Sequence, residues 1–312
     1  MTLSAAAAVL AALAVGAMGF AIQRGGTCMV AAVDELLSQR RAHRLTALLE
    51  ASLWVAGGLA TAQLWQLAGS MPLAQRIGFS TVAGAALLGL GAWLNRACVF
   101  GAVARLGSGD WAYLLTPLGF FLGCLAAPAQ AAGGTGASWI NGMGWLAPVF
   151  LAFALWRAGP ATVQWLHSGR WTTLTRSLWA PHAATVVIGI SFVVTLLLAG
   201  RWAYTDVLAD LAKGMAGSIG LPGLLLLALF AGALAGGWTA GRWRATRPTA
   251  AGLLRCLAGG VLMGYGSSLI PGSNDGLILI GIPLLHAHAW LALAVMGLSL
   301  AAALSLQARW QR

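Results

Sequence analysis

The feature that most constrains this chain is a return, nine times over, to an apolar run near the length that crosses a bilayer. The runs are Leu3–Ile22, Leu45–Leu67, Ile77–Leu94, Trp111–Ala132, Gly142–Trp156, His182–Ala199, Ile219–Ala240, Ala250–Tyr265 and His286–Leu306. A hydrocarbon core about 30 Å thick needs about 20 apolar residues in helical form. Segments of this kind satisfy their backbone in lipid only as helices or closed barrels. Runs this long select the helix, so the expected fold class is an all-α polytopic membrane protein with about nine transmembrane helices. Composition agrees: 59% of the 312 residues are hydrophobic and 8% charged, against about 25% charged in soluble domains. A soluble enzyme and a disordered chain are thereby disfavoured. The net charge of +11 raises the question of nucleic acid, yet 17 of the 18 basic residues are arginines set in short clusters between apolar runs. That pattern marks cytoplasmic loops and argues against a nucleic-acid partner.

Counting those clusters gives an orientation. Arg40, Arg41 and Arg44 precede the second run, Arg105 the fourth, Arg157, Arg170 and Arg176 the sixth, and Arg242, Arg244 and Arg247 the eighth, while Arg309 and Arg312 end the chain. If every run crosses once, all of these fall on one side, and only Arg76, Arg201 and Lys213 fall on the other. The bias places the carboxyl end in the cytoplasm and the amino end outside. The first run lacks a basic segment before it and is followed by Arg24, so it reads as a mature helix rather than a signal peptide. Residues Arg201 to Lys213 read as a short external surface helix with a solvated face.

Three stretches, around residues 19–37, 91–106 and 264–284, are too polar and too rich in glycine for lipid, and too apolar for ordinary loops. The first two share a plan of glycine, apolar residues, an amide, arginine, a small turn and cysteine: Gln23-Arg24 precedes Cys28, and Asn95-Arg96 precedes Cys98. Non-helical backbone at membrane depth survives only where it is buried in protein or lines a watery cavity. The three stretches therefore read as pseudo-repeats, short broken or re-entrant helices around a central path, within one integral membrane transport domain over residues 1–312. Broken helices turn unpaired N–H groups and a positive dipole end toward the midplane, which suits an anion. Arg24 and Arg96, with Gln23 and Asn95, are the candidate anion-stabilising groups, the competing reading being that each arginine snorkels to the cytoplasmic interface or caps helix carbonyls. Asn274 and Asp275 follow Pro271-Gly272-Ser273 and read as capping or gating residues. Asp34 and Glu35 pair with the nearby basic cluster, and Cys124 and Cys256 are small buried hydrophobes.

The segments Gly19-Phe-Ala-Ile-Gln-Arg-Gly-Gly-Thr-Cys28, Asn95-Arg-Ala-Cys98 and Gly259-Gly-Val-Leu-Met-Gly-Tyr-Gly266, continuing to Leu285, resemble the YeeE/YedE family of sulfur-compound permeases. The resemblance implies import of thiosulfate across the bacterial inner membrane, passed between cysteines by S–H hydrogen bonds to its sulfur atoms. Cys28 and Cys98 match two such positions; Ser273 stands where a third thiol is expected, leaving the choice of sulfur-containing anion open. The implied partners are that small anion, the lipid bilayer and a small cytoplasmic sulfurtransferase. A competing reading is a membrane sulfur-relay component that carries persulfide on cysteine to such a sulfurtransferase. Neither reading calls for catalytic residues, a metal or a cofactor. The cysteines show no C-x-x-C spacing, the histidines offer nothing better than His286-x-His288, and no Gly-x-x-x-x-Gly-Lys-Ser/Thr motif occurs.

Overall fold

A computed structural model describes residues 4–67, 69, 71–128, 144–168, 178–215, 220–241, 243–270 and 272–311, with the side chains of 158 and 160–168 excepted. Pro271, Arg170, Arg176, Arg242 and Arg312, named above, lie outside the described residues. Helix accounts for every regular element among them, and the one β pairing is an isolated bridge between Asp110 and Thr246. The helices are α1 (Ala5–Gly25), α2 (Met29–Gln39), α3 (His43–Leu64), α4 (Phe79–Asn95), α5 (Val99–Gly107), α6 (Leu115–Ala126) and α7 (Ala147–Ser168). They continue as α8 (Pro181–Ala199), α9 (Tyr204–Ala212), α10 (Gly220–Thr239), α11 (Ala250–Leu269), α12 (Asn274–Gly276) and α13 (Ala287–Trp310). A turn of π-helix, Leu277–Gly281, extends α12.

Where they lie among the described residues the nine apolar runs fall on helices, but those residues show fewer than nine spanning helices. Among the described residues six helical stretches are long and apolar enough to span a membrane: Ala5–Gln39, His43–Leu64, Phe79–Gly107, Pro181–Ala199, Gly220–Thr239 and Ala287–Trp310. The pair Ala250–Leu269 and Asn274–Gly281, bent by 51°, makes a seventh if taken as one span. The shortfall lies in Trp111–Ala126 and Gly144–Arg157, which are apolar but shorter than the bilayer requires. The molecule is a multi-pass helical membrane protein.

Helix pairs close on small residues. Glycines on α11 let it approach α6 so nearly that a Cβ at Gly264 would stand 2.0 Å from the Phe120 carbonyl oxygen. Such contacts are the usual cohesion of helices in lipid, where burial of apolar surface supplies no drive between them. The Ala-rich α1 starts at Ser4, whose hydroxyl accepts the Ala7 N–H, and it buries Ala11, Val15, Met18 and Ala21 in the core. The same helix packs against α8 and α10.

The helices connect two cavities. A vestibule of about 890 Å³ receives Gln23 and Arg24 from the end of α1, Trp93 and Arg96 from the end of α4, and Leu304 and Gln307 from the end of α13. A smaller cavity of about 80 Å³ receives His286 and His288 from the start of α13 and Gln75 from the segment before α4. With 24 residues, α13 runs about 36 Å between them. Arg44, Arg105 and Arg244, assigned to one side by the loop count, do meet at the vestibule, and Arg201 sits at the other cavity.

Candidate functional site: a thiol pair below an arginine vestibule

Two chain breaks meet at the floor of the vestibule. Helix α1 ends in the left-handed Gly26 (φ 56), and two residues later Cys28 is the extended N-cap of α2. Helix α4 ends in the left-handed Arg96 (φ 58), and two residues later Cys98 is the extended N-cap of α5. Both reversals are closed in the same way: Thr27 N–H donates to the Ile22 carbonyl and Ala97 N–H to the Ala92 carbonyl. The breaks thus share a backbone plan, and it pairs Arg96 with Gly26. The sequence pattern paired Arg96 with Arg24, two residues out of place.

The sulfurs of Cys28 and Cys98 lie 3.8 Å apart, and the Met29 N–H donates to Cys98 Sγ at 3.2 Å. Cys28 is half-buried and lines the vestibule; Cys98 is 0% exposed beneath it. Gly101, on the first turn of α5, makes room for this contact, because a Cβ there would come within 2.5 Å of Cys28 Sγ. The first N–H groups of α2 and α5 are thus gathered at one point, where the positive ends of both helix dipoles add.

Above the thiols, five arginines (Arg24, Arg44, Arg96, Arg105 and Arg244) and two aspartates (Asp34 and Asp110) line the vestibule. The excess of cations gives it a field that concentrates anions. Arg24, 1% exposed, donates through Nη2 to Thr239 Oγ1 at 2.6 Å, and its guanidinium carbon lies 4.8 Å from the Phe20 ring centroid. It therefore also ties α1 to the end of α10. Arg96 is exposed to the vestibule. Arg44 is partly engaged by Glu35, with Nε–Oε2 at 3.7 Å and a backbone N–H bond at 3.1 Å, as the sequence suggested for that acidic residue.

The two amides diverge. Gln23 lines the vestibule; its Nε2 donates to Ser108 Oγ at 3.3 Å, and its Oε1 has no hydrogen-bond partner among the described residues. Asn95 does not line it. Its Nδ2 donates to the Ala97 carbonyl, its Oδ1 accepts from Thr116 Oγ1, and its own carbonyl accepts from Tyr113 OH. These bonds fasten the second break to the body of the protein.

The third break is built differently. Ser273 is the extended N-cap of α12, which begins at Asn274, so Asp275 stands too far in to be the cap. The capping reading of Asp275 is corrected accordingly. Ser273, Asn274 and Asp275 are 2%, 0% and 2% exposed; Ser273 Oγ and both amide atoms of Asn274 have no hydrogen-bond partner among the described residues. Thr205 Oγ1 lies 2.8 Å and 2.9 Å from the two Asp275 carboxylate oxygens. Thr205 belongs to α9, which the sequence placed on the surface with a solvated face. Instead α9 buries Tyr204, Thr205, Val207 and Leu208, and Tyr204 OH donates to the Val99 carbonyl at 3.0 Å. The alternation of Asp206 and Asp210 with apolar residues gives a helix a wet face and a dry one, and only the wet face was legible. Ser52 Oγ, on α3, donates to the Ile278 carbonyl at 2.6 Å and takes up an acceptor within the π-turn.

Below the thiols little open space remains. The space bordered by Phe100, Tyr204 and Asp275 is about 10 Å³, at the lower limit for one water. Cys124 and Cys256, at 4% and 0% exposure, are buried away from this line.

The chain is thus a helical membrane protein whose electropositive vestibule ends in paired thiols. The family model described as "Sulphur transport" matches residues 24–302, and the chain belongs to that YeeE/YedE sulfur transport family. The match takes in all three breaks. No curated protein matches the chain. Family and fold together make it a membrane transporter of sulfur compounds.

Proposed function

We propose that the chain is a permease importing thiosulfate or a related sulfur-containing anion across the bacterial inner membrane, along a path through Ser273, Cys98 and Cys28 into the vestibule. The observation that carries this reading is the contact of Cys28 with Cys98 at the floor of a five-arginine vestibule. A divalent anion needs partial neutralisation to enter the membrane region, and arginines with two converging helix ends supply it without one tight site. Thiols are weak donors, which lets the ion leave as readily as it binds. The orphaned hydroxyl of Ser273 and amide of Asn274 support a polar route past the third break, because buried polar groups without partners cost about 1–3 kcal/mol each. A passing anion or its water would satisfy them.

On this reading the vestibule faces the cytoplasm, as the arginine-rich connections lining it suggest, and a small cytoplasmic sulfurtransferase would collect the anion there. Uptake into proteoliposomes of labelled thiosulfate, sulfite, sulfate and selenite, side by side, tests the proposal. Thiosulfate is expected to move fastest; uptake of sulfate alone would remove the reason for a thiol path. Mass spectrometry after thiosulfate exposure separates conduction from sulfur relay, since only a relay leaves sulfur covalently on Cys28 or Cys98.

A further inference from the structure

The opposite cavity contains neither cysteine nor any of the residues assigned above, yet it is built of polar groups. Arg201, Gln75, Asp206, His286 and His288 border its 80 Å³, room for about two or three waters or one small tetrahedral ion. His286 and His288 are each 5% exposed and stacked, with ring centroids 5.3 Å apart. The Gln75 N–H donates to His288 Nδ1 at 3.2 Å, so the neutral ring of His288 carries its proton on Nε2 as a free donor. His286 Nε2 is buried with no hydrogen-bond partner among the described residues. A buried imidazole nitrogen left without a partner beside a cavity points to an occupant that supplies one. The described residues contain no group of three His, Cys, Asp or Glu able to hold a metal ion.

We infer that this cavity is a second, cysteine-free binding site for a small oxyanion, held by the Arg201 guanidinium and the N–H groups of His286 and His288 at the far end of the transport path. The inference rests on the permease reading for its place in transport, but not for binding itself. Arginine offers a planar fork of donors suited to oxyanions, and the imidazoles add neutral donors at right distance from lipid. Asp206 opposes the anion from across the cavity. Burial raises its carboxyl above the ordinary range, Arg201 and Lys213 pull it back down, and Asp210 raises it further. Burial lowers His286 below the ordinary histidine range, so its ring is neutral at pH 7. Asp275 is near enough to Asp206 for the two carboxyls to interact, and Arg76 adjoins Gln75 on the segment entering α4. An arriving anion stabilises protonated Asp206 and protonated imidazole alike. Binding therefore takes up protons and tightens as pH falls.

The test uses the purified full chain carrying Cys28→Ala and Cys98→Ala, which removes the thiols and leaves this cavity whole, with sodium sulfate and sodium thiosulfate as probes in calorimetry. Both ions are expected to bind, more tightly at pH 6 than at pH 8. Arg201→Gln should weaken binding about tenfold, as loss of a charge-assisted hydrogen bond does, and Arg201→Lys should recover part of it. Arg201 is exposed, so these variants leave the core untouched; His286→Asn, measured alongside, should weaken binding less. No binding by the thiol-free chain, or affinity unmoved by Arg201→Gln, overturns the site. In proteoliposomes with Cys28 intact, a membrane-impermeant thiol reagent silences molecules whose vestibule faces outward. The remaining molecules should show a KM raised about tenfold by Arg201→Gln. Normal uptake with an unchanged KM would sink this site and leave the permease standing. Absence of any uptake by the wild-type chain would sink the permease, while calorimetry would still decide the site.

Discussion

The two cysteine-bearing breaks and the break at Ser273 solve one problem with different chemistry. Each ends a long helix and presents an extended N-cap residue at the start of a short one: Cys28, Cys98 and Ser273. In the first two, one left-handed residue turns the chain and the caps touch each other through sulfur. The third bends by 51° into a π-turn and carries Ser273, Asn274 and Asp275, with Thr205 as the partner of the acid. Shared backbone geometry therefore does not fix the side chain that a break presents. The thiol pair is soft and polarisable; the third break is hard and polar.

The largest effect expected from breaking this contrast comes at Cys98. Cys98→Ala removes the sulfur that contacts Cys28 and accepts the Met29 N–H. Thiosulfate uptake should fall at least roughly tenfold, the equivalent of about 1.4 kcal/mol of lost stabilisation, while the protein still inserts. Uptake equal to wild type would show that the pair is only packing. Gly101→Ala comes next, since its methyl would press on Cys28 Sγ, 2.5 Å from the ideal Cβ. Overpacking of this kind costs about 1–3 kcal/mol. A lowered melting temperature together with reduced uptake is expected; Gly101→Ala with Cys28→Ala should recover the stability but not the uptake.

Changing the third break toward the first two should have a smaller effect. Ser273→Cys completes a row of three thiols and should raise the ratio of thiosulfate to sulfate uptake by roughly threefold, well under the factor of ten that about 1.4 kcal/mol brings. An unchanged ratio would mean that Ser273 does not face the moving ion.

The sequence made the helices legible because lipid sets their length and composition, and it made Cys28, Cys98 and Ser273 legible because each follows a helix break that glycines or a short polar turn announce. It failed where tertiary packing decides. Nothing local distinguishes Asn95, bound on three sides by protein, from Gln23, which faces the vestibule. The burial of α9 depends on a pocket supplied by Asp275 and Val99, far away in the chain. Arg44, Arg105 and Arg244 were visible as loop charges on one side, but their convergence on one cavity needed the fold. Nine apolar runs meet six or seven long apolar helices among the described residues, with Trp111–Ala126 and Gly144–Arg157 the shorter ones.

The smallest expected effect separates the two cysteine breaks from each other. Arg96 holds the left-handed position that glycine holds at Gly26, with φ 58 against 56. A residue with a Cβ pays roughly 1 kcal/mol or somewhat more to stay there. Arg96→Gly relieves that cost, though glycine's freer unfolded chain offsets about 0.4–1 kcal/mol of the gain, so thermal stability should hold level or rise by at most about 1 kcal/mol. The same change removes one cation from the vestibule wall, and screening by salt governs exposed charges of this kind. Uptake should drop by only a few-fold at low ionic strength and converge on wild type at high salt, whereas Arg96→Lys should keep the low-salt rate. Loss of uptake that persists at high salt would assign Arg96 a direct contact with the ion at the break itself, and the two cysteine breaks would then differ in function as well as in sequence.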